Sequence, residues 1–147
     1  MALDHTILAG IEHDLRTYRR WQARREQLQE QLASVQALVG RVAEAVVGSR
    51  GFPGDPTGRY VQRIMDLRAE IDRLEVRIRR VELALEAMTP EQRRLVERYY
   101  FEGRPRDWVQ REMGLSRSGF YRLRSAALET YAYVAGLDQR LRNRKVI

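Results

Sequence analysis

Between Arg104 and Arg124 the chain holds six arginines, Arg104, Arg106, Arg111, Arg117, Arg122 and Arg124, against Asp107 and Glu112, a net charge of +4 over 21 residues. Ser116, Ser118, Tyr121 and Ser125 are interleaved with them. A guanidinium presents a planar fork of donors that matches a phosphate or the O6/N7 edge of guanine. Small hydroxyl residues beside it allow close approach to a nucleic-acid groove. This is the chemistry of holding a polyanion, not of turning over a substrate. No Ser/His/Asp set, nucleotide-cradling loop or carboxylate cluster stands out, so no enzyme and no cofactor is expected. The two histidines, His5 and His13, lie eight residues apart, too far to share one metal without further ligands, and there is no Cys to supply thiolates. No metal site is expected.

These side chains need short helices to position them. Thr89-Pro90-Glu91-Gln92 has the form of a helix start, with Thr89 as N-cap, Pro90 in the first turn and Gln92 completing a capping box. The helix it opens is expected to reach about Phe101, with Leu95, Val96, Tyr99 and Tyr100 on its apolar side and Gly103, Arg104 and Pro105 closing it. A second short helix is expected at about 106–113, with Val109 and Met113 inward and Trp108 beside them. Gly114 supplies a left-handed helix stop, Leu115 packs inward and Ser116 caps the next helix. That helix, from Arg117 to about Tyr133, turns Phe120, Leu123, Ala127 and Leu128 toward the core and leaves Arg117, Ser118, Tyr121, Arg122, Arg124 and Ser125 outward or at the edge. A short helix, a Gly-apolar-Ser turn and a helix opening on small polar and basic residues form the pattern of a helix-turn-helix. The opposing reading is a small helical bundle with a solvated arginine face; the Gly114-Leu115-Ser116 turn favours the former.

Ahead of this module the chain reads as two long helices. Over 3–47 apolar residues recur at spacings of three and four, from Leu3, Ile7, Ile11, Leu15 and Tyr18 to Leu28, Leu32, Val35, Leu38, Val42 and Val46. Between Tyr18 and Leu28 the stripe thins to Trp21, set among Arg19, Arg20, Arg24 and Arg25, where core packing is favoured over partner recognition. Four Gly and two Pro between Gly48 and Gly58 mark a loop over 48–59. Then Tyr60, Ile64, Leu67, Ile71, Leu74, Ile78, Val81, Leu85 and Met88 repeat as four unbroken heptads. The expected fold is all-α: an antiparallel coiled-coil hairpin over 1–88, a helix-turn-helix domain over 89–135 and a basic tail over 136–147. The seam Ile64, Leu67, Ile71, Leu74, Ile78, Val81 and Leu85 is also expected to pair with another subunit, a homodimer being favoured.

Charge divides along the same line. Residues 1–88 carry 14 Arg and 13 acids, whereas 89–147 carry 12 Arg and Lys145 against 7 acids. One module thus suits phosphate and the other protein. The start, Met-Ala-Leu-Asp-His, has neither a basic nor an apolar leader region, and no apolar stretch is long enough to span a membrane. A bacterial cytoplasmic location is expected, with no membrane partner.

Residues 89–132 resemble region 4 of the sigma-70 family, in Thr-Pro-Glu-Gln-Arg-Arg, Arg-Tyr-Tyr-Phe-Glu-Gly, and Trp-Val followed by Met-Gly-Leu-Ser-Arg-Ser-Gly-Phe-Tyr-Arg. With the helical hairpin in front, the chain resembles phage and prophage late-gene transcriptional regulators of the RinA and ArpU kind. The resemblance implies a regulator of phage late or packaging and lysis genes that binds double-stranded DNA at a promoter. It places Arg117, Ser118, Tyr121 and Arg122 where base-reading residues lie, and Ser116, Arg106 and Arg124 where backbone contacts lie. Arg104 and Ser125, at the edges of the module, join the phosphate-binding set. Gln110 stands where such a motif usually has Ala, so either the two helices stand slightly apart or its amide turns outward. Two other roles suit similar parts: a small terminase subunit for DNA packaging, and a sigma-like accessory protein that binds RNA polymerase.

Overall fold

The computed structural model describes residues 3–47 and 56–137, and every regular element among them is helical. The greater part of the expected 48–59 loop and nearly all of the expected 136–147 tail lie outside the described residues. Helix α1 spans His5–Val47, α2 Pro56–Ala87, α3 Pro90–Val96, α4 Arg106–Met113 and α5 Arg117–Val134, with a π-helical segment at Glu97–Phe101. Asp4 starts α1 by accepting the Thr6 N–H at 2.7 Å, which satisfies one of the donors a first turn leaves unpaired.

Contacts divide the chain into two compact units, and not at residue 88. One unit is 20–76; the other joins the first residues, 1–19, to 77–147. The expected boundary placed all of both long helices in the hairpin. By contacts, Ile11 and Leu15 near the start of α1, and Ile78, Val81 and Ala84 near the end of α2, are buried in the same unit as the C-terminal helices.

Within the 20–76 unit, α1 and α2 run antiparallel. Arg24 pairs with Glu70 at 3.2 Å, and farther along α1 Gln31 accepts from Arg63 at 3.3 Å, earlier along α2. Leu28, Leu67 and Ile71 form the buried centre, flanked by Leu32, Val35 and Leu74. Trp21 is also buried, consistent with core packing rather than an exposed anchor. Removing a side chain such as Leu28 would leave a cavity worth about 2–5 kcal/mol of lost stability.

The heptad seam, expected also to pair with another subunit, is in large part covered within its own chain. Leu67, Ile71, Ile78 and Val81 are buried by their own chain, and Ile64, Leu74 and Leu85 are half-buried. A side chain already removed from water by its own polypeptide has little apolar surface left to offer a second copy. The heptad correctly marks the face of α2 that is buried.

In the other unit, α3 packs on α5, and α4 packs on α5 and on the π segment. Leu95, Val96, Val109, Phe120, Ala127, Leu128, Tyr131 and Ala132 are all buried. Polar ties to α1 run through this unit: Tyr131 donates to Asp14 at 2.9 Å and Tyr100 donates to Glu12 at 2.9 Å. No helix among the described residues is long and apolar enough to cross a membrane.

Candidate nucleic-acid interface

The capping box at Thr89 forms in both directions. The Gln92 N–H donates to Thr89 Oγ1 at 3.2 Å and the Thr89 N–H to Gln92 Oε1 at 3.1 Å. The helix it opens departs from the expected single α-helix after Val96, where the backbone widens to a π-helix and the Glu102 N–H reaches back to the Glu97 carbonyl at 2.9 Å. Each of the three consecutive aromatics in this segment has a partner. Tyr99 meets Phe120 edge-on at 5.2 Å, Phe101 meets Tyr18 at 4.9 Å, and Tyr100 is buried with its hydroxyl on Glu12 and Arg124.

Gly114 makes the stop after α4. Its φ of 65° and ψ of 37° are left-handed, a region that costs other residues a Cβ–carbonyl clash. The Leu115 N–H then closes onto the Gln110 carbonyl at 2.8 Å, pairing an acceptor that the helix end would otherwise leave open. Ser116 caps α5, accepting the Gly119 N–H at 3.0 Å. Two helices joined by a short turn, α4 and α5, therefore occupy the stretch where they were expected, 106–133. Gln110 is half-buried and lines an open groove with Asp107, Arg111, Gly114 and Leu115, so its side chain borders solvent rather than wedging wholly between helices.

The outer face of α5 carries the expected side chains. Arg117, Ser118, Tyr121, Arg122 and Ser125 are exposed, as are Ser116 in the turn and Arg104 before α4. Leu123 is only half-buried, while Tyr131 and Ala132, which the sequence pattern did not single out, extend the buried side. Arg104 lies over the Trp108 ring, 4.7 Å from its centre, a favourable placement of a cation on an aromatic face.

Arg106 and Tyr121 are coupled. Arg106 Nη1 donates to the Tyr121 hydroxyl at 2.8 Å, and its Nη2 lies 3.3 Å from Asp107. That bond holds the Tyr121 phenol below its ordinary ionisation range, with the Arg117 charge acting in the same sense. The same bond, with Asp107, raises Arg106 further. The result is a positive corner at the start of α4 and the second turn of α5.

Arg124 has a different place from the one expected. Its side chain keeps 24% of its exposure, its Nε donates to Tyr100 at 3.1 Å, and its Nη2 pairs with Glu12 at 3.1 Å. Burial opposes its charge, but Tyr100 and Glu12 outweigh that and hold it protonated. Arg124 neighbours Tyr121 on α5, 5.9 Å from its ring centre, but its guanidinium is turned to Glu12 on α1 and Tyr100 in the π segment. Arg124, expected at a DNA-backbone contact, is tied to Tyr100 and Glu12 within its own chain. Tyr100 and Glu12 were absent from the expected site because their pairing joins residues 88 apart in sequence.

His5 and His13 are exposed, and among the described residues no cluster of three His, Cys, Asp or Glu is placed to hold a metal ion. Comparison with known proteins returns no match: no family model, no curated protein and no solved structure aligns with the chain.

Proposed function

We propose that this protein is a sequence-specific double-stranded DNA-binding transcriptional regulator. The observation that carries the reading is the Gly114-Leu115-Ser116 turn between α4 and α5, which leaves Arg117, Ser118, Tyr121 and Arg122 exposed on the first two turns of α5. A helix of this kind enters the major groove by its N-terminal turns. Arg117 and Arg122 offer guanidinium forks to guanine, Ser118 a small donor or acceptor, and Tyr121 a phenol oriented by Arg106. Arg104, Arg106, Ser116 and Ser125 lie around them for phosphate.

The likeness of 89–132 to sigma region 4, and of the helical order to the RinA and ArpU regulators, supports a role at a phage late or packaging and lysis promoter in the bacterial cytoplasm. α1 and α2 form the antiparallel coiled-coil hairpin that accompanies the module. Two copies of the chain would read two half-sites about one helical turn, or a multiple of it, apart.

The test is selection of bound duplexes from a random pool by the purified full chain. Enrichment of one motif is the expected result, and failure to enrich any removes the specificity. Light scattering separates this reading from a packaging ring: a dimer fits the regulator, eight or more subunits the ring.

A further inference from the structure

We propose that the phosphate-binding surface extends beyond the helix-turn-helix onto the N-terminal part of α1, through Arg16 and Arg19. The inference rests on the duplex-binding reading above and adds a contact element that lies some hundred residues earlier in the chain.

A series of contacts leads from the exposed face of α5 to α1. Arg106 bonds the Tyr121 hydroxyl at 2.8 Å, Arg124 stands 5.9 Å from the Tyr121 ring centre, and Arg124 Nε donates to Tyr100 at 3.1 Å. The Arg16 guanidinium lies 5.4 Å from the Tyr100 ring centre and 5.9 Å from that of Tyr99. The ring of Tyr100 thus stands between Arg16 and Arg124 of the proposed recognition helix.

Arg16 differs from Arg124 in what it has left to give. Its side chain is 54% exposed, and its pairing with Glu12 is long, at 3.6 Å, while the same carboxylate holds Arg124 at 3.1 Å. One carboxylate between two guanidiniums leaves a net positive charge, and a long exposed pair is weakly held and readily exchanged. Arg19 is exposed and follows by three residues, which sets it beside Arg16 on the helix surface. The two cations stand on a helix whose neighbouring residues Ile11, Leu15 and Tyr18 are buried, so they are presented from a fixed base. Most protein–DNA bonds go to phosphate, and flanking elements supply them beside the reading helix.

The experiment compares the salt dependence of duplex binding by the full chain and its Arg16→Gln, Arg16→Lys and Arg19→Ala variants. Each lost phosphate contact lowers the slope of log K against log salt by about 0.9. Arg16→Gln and Arg19→Ala are each expected to lower it by about that much, with unchanged sequence preference, while Arg16→Lys keeps the parent slope. An unchanged slope in both neutral variants overturns the proposal while leaving the duplex-binding reading intact. So does equal loss in Arg16→Gln and Arg16→Lys, which marks a packing role. Absence of any duplex binding by the parent chain sinks both.

Discussion

Arg106 and Tyr121 are joined by a 2.8 Å hydrogen bond in which the guanidinium donates to the phenol oxygen, linking the first residue of α4 to the second turn of α5. The pair brings together a side chain expected to hold phosphate and one expected to read bases. A long arginine free in water samples many rotamers, and fixing it before binding reduces the entropy lost on binding. Tyr121 thus has a positioning role toward Arg106 in addition to any contact of its own.

The tyrosines should ionise in an order that reports this arrangement. Tyr121 is held low, chiefly by the Arg106 bond, whereas burial pushes Tyr100 and Tyr131 well above the usual range. A phenol raised in the folded state adds stability that is complete below the unfolded value of about 10 and is lost as pH rises beyond it. Phenolate absorbance during an alkaline titration should show an early step that disappears in Tyr121→Phe, and a late step coincident with unfolding. If all tyrosines titrate together in the folded protein, the described network is wrong.

Glu12→Gln should loosen α5. The substitution removes the charge that Arg124 meets at 3.1 Å and weakens the acceptor for Tyr100. Both partners are partly buried, so the loss falls between an exposed pair and a fully buried one, about 1–3 kcal/mol. In a chain of this length that lowers Tm by roughly 2–10 °C. An unchanged melting curve would show that the tie contributes nothing.

Local features of the fold were legible, and long-range ones were not. The Thr89 capping box, the Gly114 stop and the Ser116 cap depend on residues within a few positions of one another, and each forms as its sequence implies. The heptad from Tyr60 to Met88 announces a buried face but is silent on what buries it. Leu67 and Ile71 find Leu28 on the same chain, which a period cannot reveal. The Glu12–Arg124 pair joins residues 112 apart, and neither end has a local pattern that points to the other. The one clue to the π segment was the run Tyr99-Tyr100-Phe101, since an ordinary helix would spread three such rings around more than half its circumference.

The unit boundary makes a fragment test decisive. A chain of residues 89–147 lacks Ile11, Leu15, Ile78 and Val81, all buried in the same unit as the C-terminal helices. Small domains have little surplus core to lose. The fragment should show weak helical circular dichroism and no cooperative melt, whereas the full chain melts cooperatively. A cooperative fragment would show that the C-terminal helices fold without that shared core.

Gly114→Ala tests the turn itself. A Cβ there meets nothing within 4 Å, so any cost comes from the backbone conformation alone, at φ 65°. That cost is about 1–2 kcal/mol for Ala, and Asn, which tolerates the left-handed region better, should lose less. Chemical denaturation of the three proteins reads the difference. Equal stability of all three would mean that the turn does not hold this conformation in solution.

Arg122→Ala and Arg106→Ala should separate base reading from phosphate binding. Arg122 stands exposed on the first turns of α5, and one bidentate contact to guanine is worth about 1–3 kcal/mol of discrimination. Its loss should weaken binding to the selected motif by roughly 5- to 150-fold and relax preference at one position. Arg106, held at the start of α4, should on removal weaken all duplexes alike and lower the salt slope by about 0.9. Competition binding against single-base variants of the selected motif distinguishes the two. Uniform loss across every sequence for both variants would take base reading away from Arg122, since a phosphate contact cannot tell one base pair from another.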